Sequence, residues 1–157
     1  MGYYTNATIC KNGHTVNSSK KVQDKYCYHC GAETISECPH CNIDIRGDYE
    51  VPNVFVVGDK YDVPKYCFNC GKPFPWTEQA ISNMEQIILE NSELSLQDNE
   101  RLIESLPHAM AETPSTSLAA TRIKKALINA GTFTADALRQ FVIDFGCEML
   151  KNYIMNS

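Results

Sequence analysis

Tyr26-Cys27-Tyr28-His29-Cys30-Gly31 and Tyr66-Cys67-Phe68-Asn69-Cys70-Gly71 are two copies of one phrase, Tyr-Cys-aromatic-x-Cys-Gly, set forty residues apart. Two cysteines separated by two residues can bend around a single ion, and a following glycine lets the backbone turn without a Cβ clash. Each copy closes a segment that another ligand pair opens. Cys10-Lys11-Asn12-Gly13-His14 opens the first segment, and Cys38-Pro39-His40-Cys41 opens the second. The pairs Cys10/His14, Cys27/Cys30, Cys38/Cys41 and Cys67/Cys70 therefore offer eight donors. A structural zinc site takes four N or S ligands in a tetrahedron, so eight donors make two closed sites with none left over.

Sequential pairing assigns Cys10, His14, Cys27 and Cys30 to one Zn2+ and Cys38, Cys41, Cys67 and Cys70 to the other. The repeat favours this arrangement over a cross-braced one, because each half is then a self-contained ribbon. Three thiolates with a neutral imidazole leave the first site near −1, and four thiolates leave the second near −2. Backbone N–H groups of the knuckles are expected to offset that charge. Disulfides, a redox Cys-x-x-Cys pair and an iron–sulfur centre are weaker readings, since three Cys-x-x-Cys pairs and a Cys/His pair look like one ligand system. His29 and His40 lie inside the knuckles and read as exposed or supporting residues. His108 reads as a surface or loop residue, and Cys147, the odd cysteine, as a small buried hydrophobe.

Composition changes abruptly near Trp76. None of the nine leucines precedes Leu89, whereas seven of eight tyrosines and six of eight glycines lie before residue 77. Residues 1–76 thus read as short strands and turns, and 77–157 as helix. The expected fold is a small α+β chain: two tandem zinc ribbons over 1–76, then an all-α region of about four helices over 77–157. Lys72-Pro73-Phe74-Pro75-Trp76 reads as a stiff hinge between them. Only eleven aliphatic residues are scattered over positions 1–76, so metal is expected to organise this half. Val54-Phe55-Val56-Val57, Gly58-Asp59 and Tyr61–Val63 read as a β-hairpin whose arms pack on the second knuckle or meet a partner.

In the second half, Thr77 is expected to cap a helix to about Asn91, with Ile81, Met84, Ile87 and Ile88 on one stripe. Ser95 caps the next, which carries Leu102, Ile103 and Leu106 inward and ends near Pro107. A third follows Thr113-Pro114-Ser115, burying Ala120, Ile123 and Leu127, and Gly131 stops it. Thr134 caps the last, which carries apolar residues from Leu138 to Tyr153 on more than one face. That breadth suits burial in a bundle first, and a self-association or partner surface second.

Three stretches carry a resemblance. Cys10-Lys11-Asn12-Gly13-His14, Cys38-Pro39-His40-Cys41 and Cys67 through Thr77 (Cys-Phe-Asn-Cys-Gly-Lys-Pro-Phe-Pro-Trp-Thr) resemble a family of small bacterial proteins of unknown function. Members of that family pair a double zinc ribbon with a C-terminal helical region. The resemblance spans essentially the whole chain, implies a bacterial or phage origin and agrees with the eight ligands. It brings no activity with it.

Function is therefore read from residues. Net charge is −5 and falls on the second half, with six Lys/Arg against eleven Asp/Glu in 77–157. A phosphate-gripping protein usually carries a basic excess. Lys11, Lys20, Lys21 and Lys25 with Tyr26 and Tyr28 make a nucleic-acid-binding regulator the second reading. The favoured reading is a non-enzymatic protein-interaction or adaptor module, with a partner or second copy on the helical region. A zinc enzyme ranks third, because both ligand sets look closed and no His-Glu-x-x-His, phosphate loop or nucleophile elbow is present. No apolar run is long enough for a membrane span and no secretion signal is visible, so a cytoplasmic location is expected.

Overall fold

The computed structural model describes residues 1–155. It divides into one unit of Met1–Gln79 and a second that starts at Ala80. The first unit is built of short antiparallel pieces. β1 (Tyr3–Asn6) pairs with β5 (Arg46–Glu50), and β2 (Thr8–Cys10) lies between β3 (Thr15–Asn17) and β4 (Thr34–Ile35). Register places Tyr4 opposite Tyr49 and Cys10 opposite Thr34. β2 is buried along its whole length, since it is the central strand and delivers Cys10 to the first metal cluster.

A small core fills this unit. Ala7, Ile9, Ile45, Phe74 and Trp76 are buried with Cys38 and Cys67, and Ile35, Ile43, Tyr61 and Val63 pack against them. Phe74 and Trp76 stack with ring centroids 4.8 Å apart, and the indole N–H donates to the Pro64 carbonyl at 2.9 Å. Phe74 and Trp76 of the Lys72–Trp76 stretch are thus part of the first unit's core. Its aromatic rings supply the bulk that the sparse aliphatics lack.

The β-hairpin expected over Val54–Val63 is not formed. The backbone from Val51 to Lys65 carries no strand, and Asn53 and Gly58 take positive φ of 66° and 83°. β5, which the sequence did not flag, takes the pairing with β1 instead. Tyr61 and Val63 are drawn inward, and the Tyr61 hydroxyl donates to the Arg46 carbonyl. Val54, Phe55, Val56 and Val57 stay exposed, Phe55 at 95% and Val57 at 96%. Four β-forming residues do not make a strand when their second arm is used for packing and the ladder partner is missing.

The second unit is helical: α1 (Pro75–Asn91), α2 (Leu96–Met110), α3 (Thr116–Asn129), α4 (Thr132–Phe145) and α5 (Glu148–Met155), the unit boundary falling within α1. α3 packs against α2, α4 and α5. The core joins Met84 and Ile88 of α1, Leu102 and Leu106 of α2, Ile123 of α3, Leu138, Phe141 and Val142 of α4, and Leu150 of α5. These recur at helical spacing, which is why each helix buries one face. Ser95 caps α2 as expected, its hydroxyl accepting from the Asp98 N–H at 3.2 Å.

Four helix boundaries differ from expectation. α1 starts at Pro75, whose fixed φ suits a first helical position. Thr77 is therefore inside the helix, its hydroxyl donating to the Lys65 carbonyl at 2.8 Å instead of capping. α2 runs three residues past Pro107, because Ala109 and Met110 are buried and Thr116 Oγ1 donates to the His108 carbonyl at 2.9 Å. His108 is consequently helical and half-buried, with Nδ1 2.8 Å from the Thr113 hydroxyl. The expected last helix is two helices, because the chain turns extended at Gly146 and the Cys147 N–H donates to the Ala109 carbonyl at 2.8 Å. Thr134 lies within α4, fully buried, and Gly131 at φ 91° precedes that helix. Cys147 is half-buried against the core, not fully buried.

Candidate metal centres

Three knuckles in the first unit share one backbone geometry. In the first, the Cys27 N–H donates to the Ala32 carbonyl at 2.8 Å and the Gly31 N–H returns to the Cys27 carbonyl at 2.7 Å. The third repeats this with Cys67 to Lys72 at 2.9 Å and Gly71 to Cys67 at 2.9 Å. Between them, Cys38 donates to Ile43 at 2.8 Å and Asn42 to Cys38 at 2.9 Å. Gly31, Asn42 and Gly71 hold φ of 75°, 62° and 75°, the left-handed region that Gly and Asn enter most readily. The paired phrase read from the sequence is thus a triple, with Asn42 standing where the other two have glycine. The opening pair is tighter: the Cys10 N–H donates to the His14 carbonyl at 2.9 Å, and Gly13 turns inside the pair.

These turns bring the eight residues named from the sequence into two groups. Cys10, His14, Cys27 and Cys30 form one and Cys38, Cys41, Cys67 and Cys70 the other, with all donor atoms of a group within 4.8 Å of one another. Pairing is sequential, not cross-braced. Cys10 Sγ stands 3.7 Å from Cys30 Sγ and 3.4 Å from His14 Nδ1, and Cys27 Sγ is 3.8 Å from that same Nδ1. In the second group, Cys38–Cys70 and Cys41–Cys67 are both 3.7 Å apart. A tetrahedral ion with metal–sulfur bonds of about 2.3 Å has sulfur–sulfur edges of about 3.8 Å. Disulfide bonds, at about 2.05 Å, are excluded by the same distances. The donor sets fit one tetrahedral ion each.

N–H groups aim at the sulfurs as thiolates require. The His14 N–H lies 3.3 Å from Cys10 Sγ, the Asn12 amide 3.4 Å from Cys30 Sγ, and the Asn69 N–H 3.4 Å from Cys67 Sγ. The Ala32 N–H, with the Asn12 amide second, pulls the Cys30 thiol down to about 6. The Ile43 N–H, with Asn69 second, does the same for Cys41, also to about 6. Burial pushes Cys10 up against the N–H groups of His14 and Asn12. The Lys72 N–H pulls on Cys70, but burial and the neighbouring thiols outweigh it and leave that group at about 11. The N–H groups around Cys30 and Cys41 thus favour the thiolate, the form that ligates a metal.

The other histidines stay outside the donor sets. His29 is exposed, packed on Tyr28 with centroids 4.1 Å apart, and His40 is exposed with Nε2 4.0 Å from Glu78. The suspected basic cluster is partly neutralised. Lys11 pairs with Glu33 at 2.9 Å, and Lys21 pairs with Asp44 and, at 3.4 Å, with Glu37. What sequence reading missed is Arg46, whose guanidinium lies 3.7 Å from the Phe68 ring centroid and 4.6 Å from that of Tyr4. The β1–β5 pairing brings Tyr4 near Arg46, and Phe68 comes from the Cys67–Cys70 turn, so no linear pattern announces them.

Ribbon-type knuckles closing two four-donor groups, followed among the described residues by five helices, define a small metal-ribbon architecture. The chain belongs to the family described as "Uncharacterized protein conserved in bacteria (DUF2321)", whose family model matches residues 3–154. No curated protein and no solved structure matches it. Among the described residues, no helix is long and apolar enough to cross a membrane.

Proposed function

We propose that this chain is a zinc-carrying, non-enzymatic interaction module that acts in the cytoplasm. Two Zn2+ ions hold the ribbon knuckles, and the unit they hold displays an apolar loop to a protein partner. The observation that carries the reading is the position of Val54–Val57. All four side chains are exposed, and they lie between Cys41 and Cys67 of one metal group. Exposed apolar runs of this kind mark interaction surfaces in otherwise polar modules. The helical unit also exposes Ile128, Phe133 and Ile143, which a partner or a second copy of the chain could cover. Closed four-donor sets favour structural over catalytic metal, since catalysis needs an open coordination position. Ion pairing of Lys11 and Lys21 favours a protein over a phosphate-rich partner.

The test combines elemental analysis with affinity capture from the native host. Two zinc equivalents per chain are expected, and one discrete partner that is lost with Phe55→Glu while the metal content stays at two. A single zinc, an activity requiring an open site, or capture unchanged by Phe55→Glu would reject the proposal.

A further inference from the structure

Away from the metal groups, a hollow of about 310 Å³ opens in the helical unit between α2 and α3. That is the lower end of the roughly 300–1,000 Å³ of small-ligand sites. Leu94, Leu102 and Ala126 form an apolar lining, and Leu118, still 51% exposed, stands at its edge. Arg101, Arg122 and Lys125 also line the hollow, with Asp98 as its one acid. Residues 77–157 carry only six Lys/Arg against eleven Asp/Glu, so half of the cations of an acidic stretch meet at one apolar recess.

Those cations are not fully used by their neighbours. Arg101 reaches Asp98 only at 4.0 Å, and Arg122 reaches Glu104 at 3.8 Å, on a side chain 73% exposed. Such exposed pairs hold charge weakly. The Lys125 ammonium has no ion pair among the described residues. Arg122 is nonetheless held in place, its Nη1 donating to the Arg101 carbonyl at 3.2 Å and to Ser105 Oγ at 3.4 Å. A fixed guanidinium beside an apolar surface loses little freedom on meeting an anion, and the low-dielectric wall strengthens the attraction.

We propose that this hollow binds a small amphiphilic anion: a compact oxyanion head against Arg101, Arg122 and Lys125, and a short apolar body against Leu102, Leu118 and Ala126. The spacing on α3 explains the pairing of chemistries. Leu118, Arg122, Lys125 and Ala126 fall at i, i+4, i+7 and i+8, one face of the helix. The site is independent of the metal-ribbon reading, since it uses only residues of the second unit.

The test titrates octanoate, octyl phosphate and octanol into the intact zinc-loaded chain, followed by backbone amide NMR. Saturable shifts centred on Leu102, Leu118 and Ala126 are expected with octanoate or octyl phosphate, the tighter of the two naming the head group. Octanol is expected to bind at least tenfold more weakly. Shortening the chain to hexanoate should weaken binding about fourfold for each methylene lost. Lys125→Glu and Lys125→Gln, at an exposed position, should lower affinity tenfold or more and several-fold respectively, with helicity unchanged by circular dichroism. Octanol binding as well as the anions, no saturable shift with either anion into the millimolar range, or full affinity in Lys125→Glu would overturn the proposal.

Discussion

Gly31→Ala isolates the backbone contribution to metal binding. Gly31 sits at φ +75°, and a Cβ built there meets no atom within 4 Å. Steric crowding is therefore absent, and the cost is that of holding an L-residue in the left-handed region, about 1–2 kcal/mol. Alanine also has fewer unfolded conformations than glycine, which offsets part of that cost. A net loss near 1 kcal/mol remains. Where ribbon folding and ion binding are one event, that loss reads as a weaker metal affinity of about fivefold at the first site. Gly31→Asn should lose less than half as much, since Asn42 already holds φ 62° in the sister knuckle. The measurement is competition against a chromophoric chelator, with Co2+ in place of Zn2+ to separate the Cys₃His site from the Cys₄ site. Gly71→Ala should show the mirror result, weakening the second site and sparing the first. Equal damage from Ala and Asn, or no change with Ala, would refute the idea that this φ requirement is what the glycine serves.

Three further outcomes are expected. Stripping metal with a strong chelator should erase the near-ultraviolet dichroism of the stacked Phe74–Trp76 pair while the far-ultraviolet helical signal persists; a Trp76 signal indifferent to chelation would contradict metal-dependent folding of the first unit. Ile123→Ala, at a fully buried position of the second core, should cost about 2–5 kcal/mol in denaturant unfolding, and a loss under about 1 kcal/mol would show that α3 is not central. Thr134→Val should stabilise by about 1 kcal/mol, because Thr134 Oγ1 is buried without a hydrogen-bond partner among the described residues; a lower melting temperature would mean the hydroxyl is satisfied.

The eight donors and their sequential pairing were legible because ligand spacing is local: four residues of a knuckle fix their own geometry, whatever surrounds them. The α+β division was legible for a similar reason, since leucine and glycine usage tracks backbone type over long windows. Cys38 and Cys41 were read as ligands, but Asn42 hid that their turn repeats the other two, because a repeat search for Tyr-Cys-aromatic-x-Cys-Gly passes over an asparagine that holds φ 62°. Pro107 misled because its missing N–H is a local signal, whereas the burial of Ala109 and Met110 that carries α2 onward is tertiary. The Val54–Val63 hairpin failed on the same ground. Strand propensity cannot say whether a ladder partner exists, and here β1 was already taken by β5.

That failure bears directly on what the second metal group does. Positions 42–66 form a 25-residue excursion whose ends are held by Cys41 and Cys67, their sulfurs 3.7 Å apart. Closing a loop of that length costs about 3.5 kcal/mol of chain entropy by the usual cross-link estimate. Much of the excursion offers its own return: β5 pairs with β1, and Tyr61 and Val63 pack inward. Val54–Val57 return little, because their side chains are exposed and they join no strand. A segment that adds closure cost and hydrated apolar surface is stabilising only when something else covers it. An ion held by Cys38, Cys41, Cys67 and Cys70 would meet the closure cost, and on the proposed reading a protein partner covers the apolar surface of Val54–Val57.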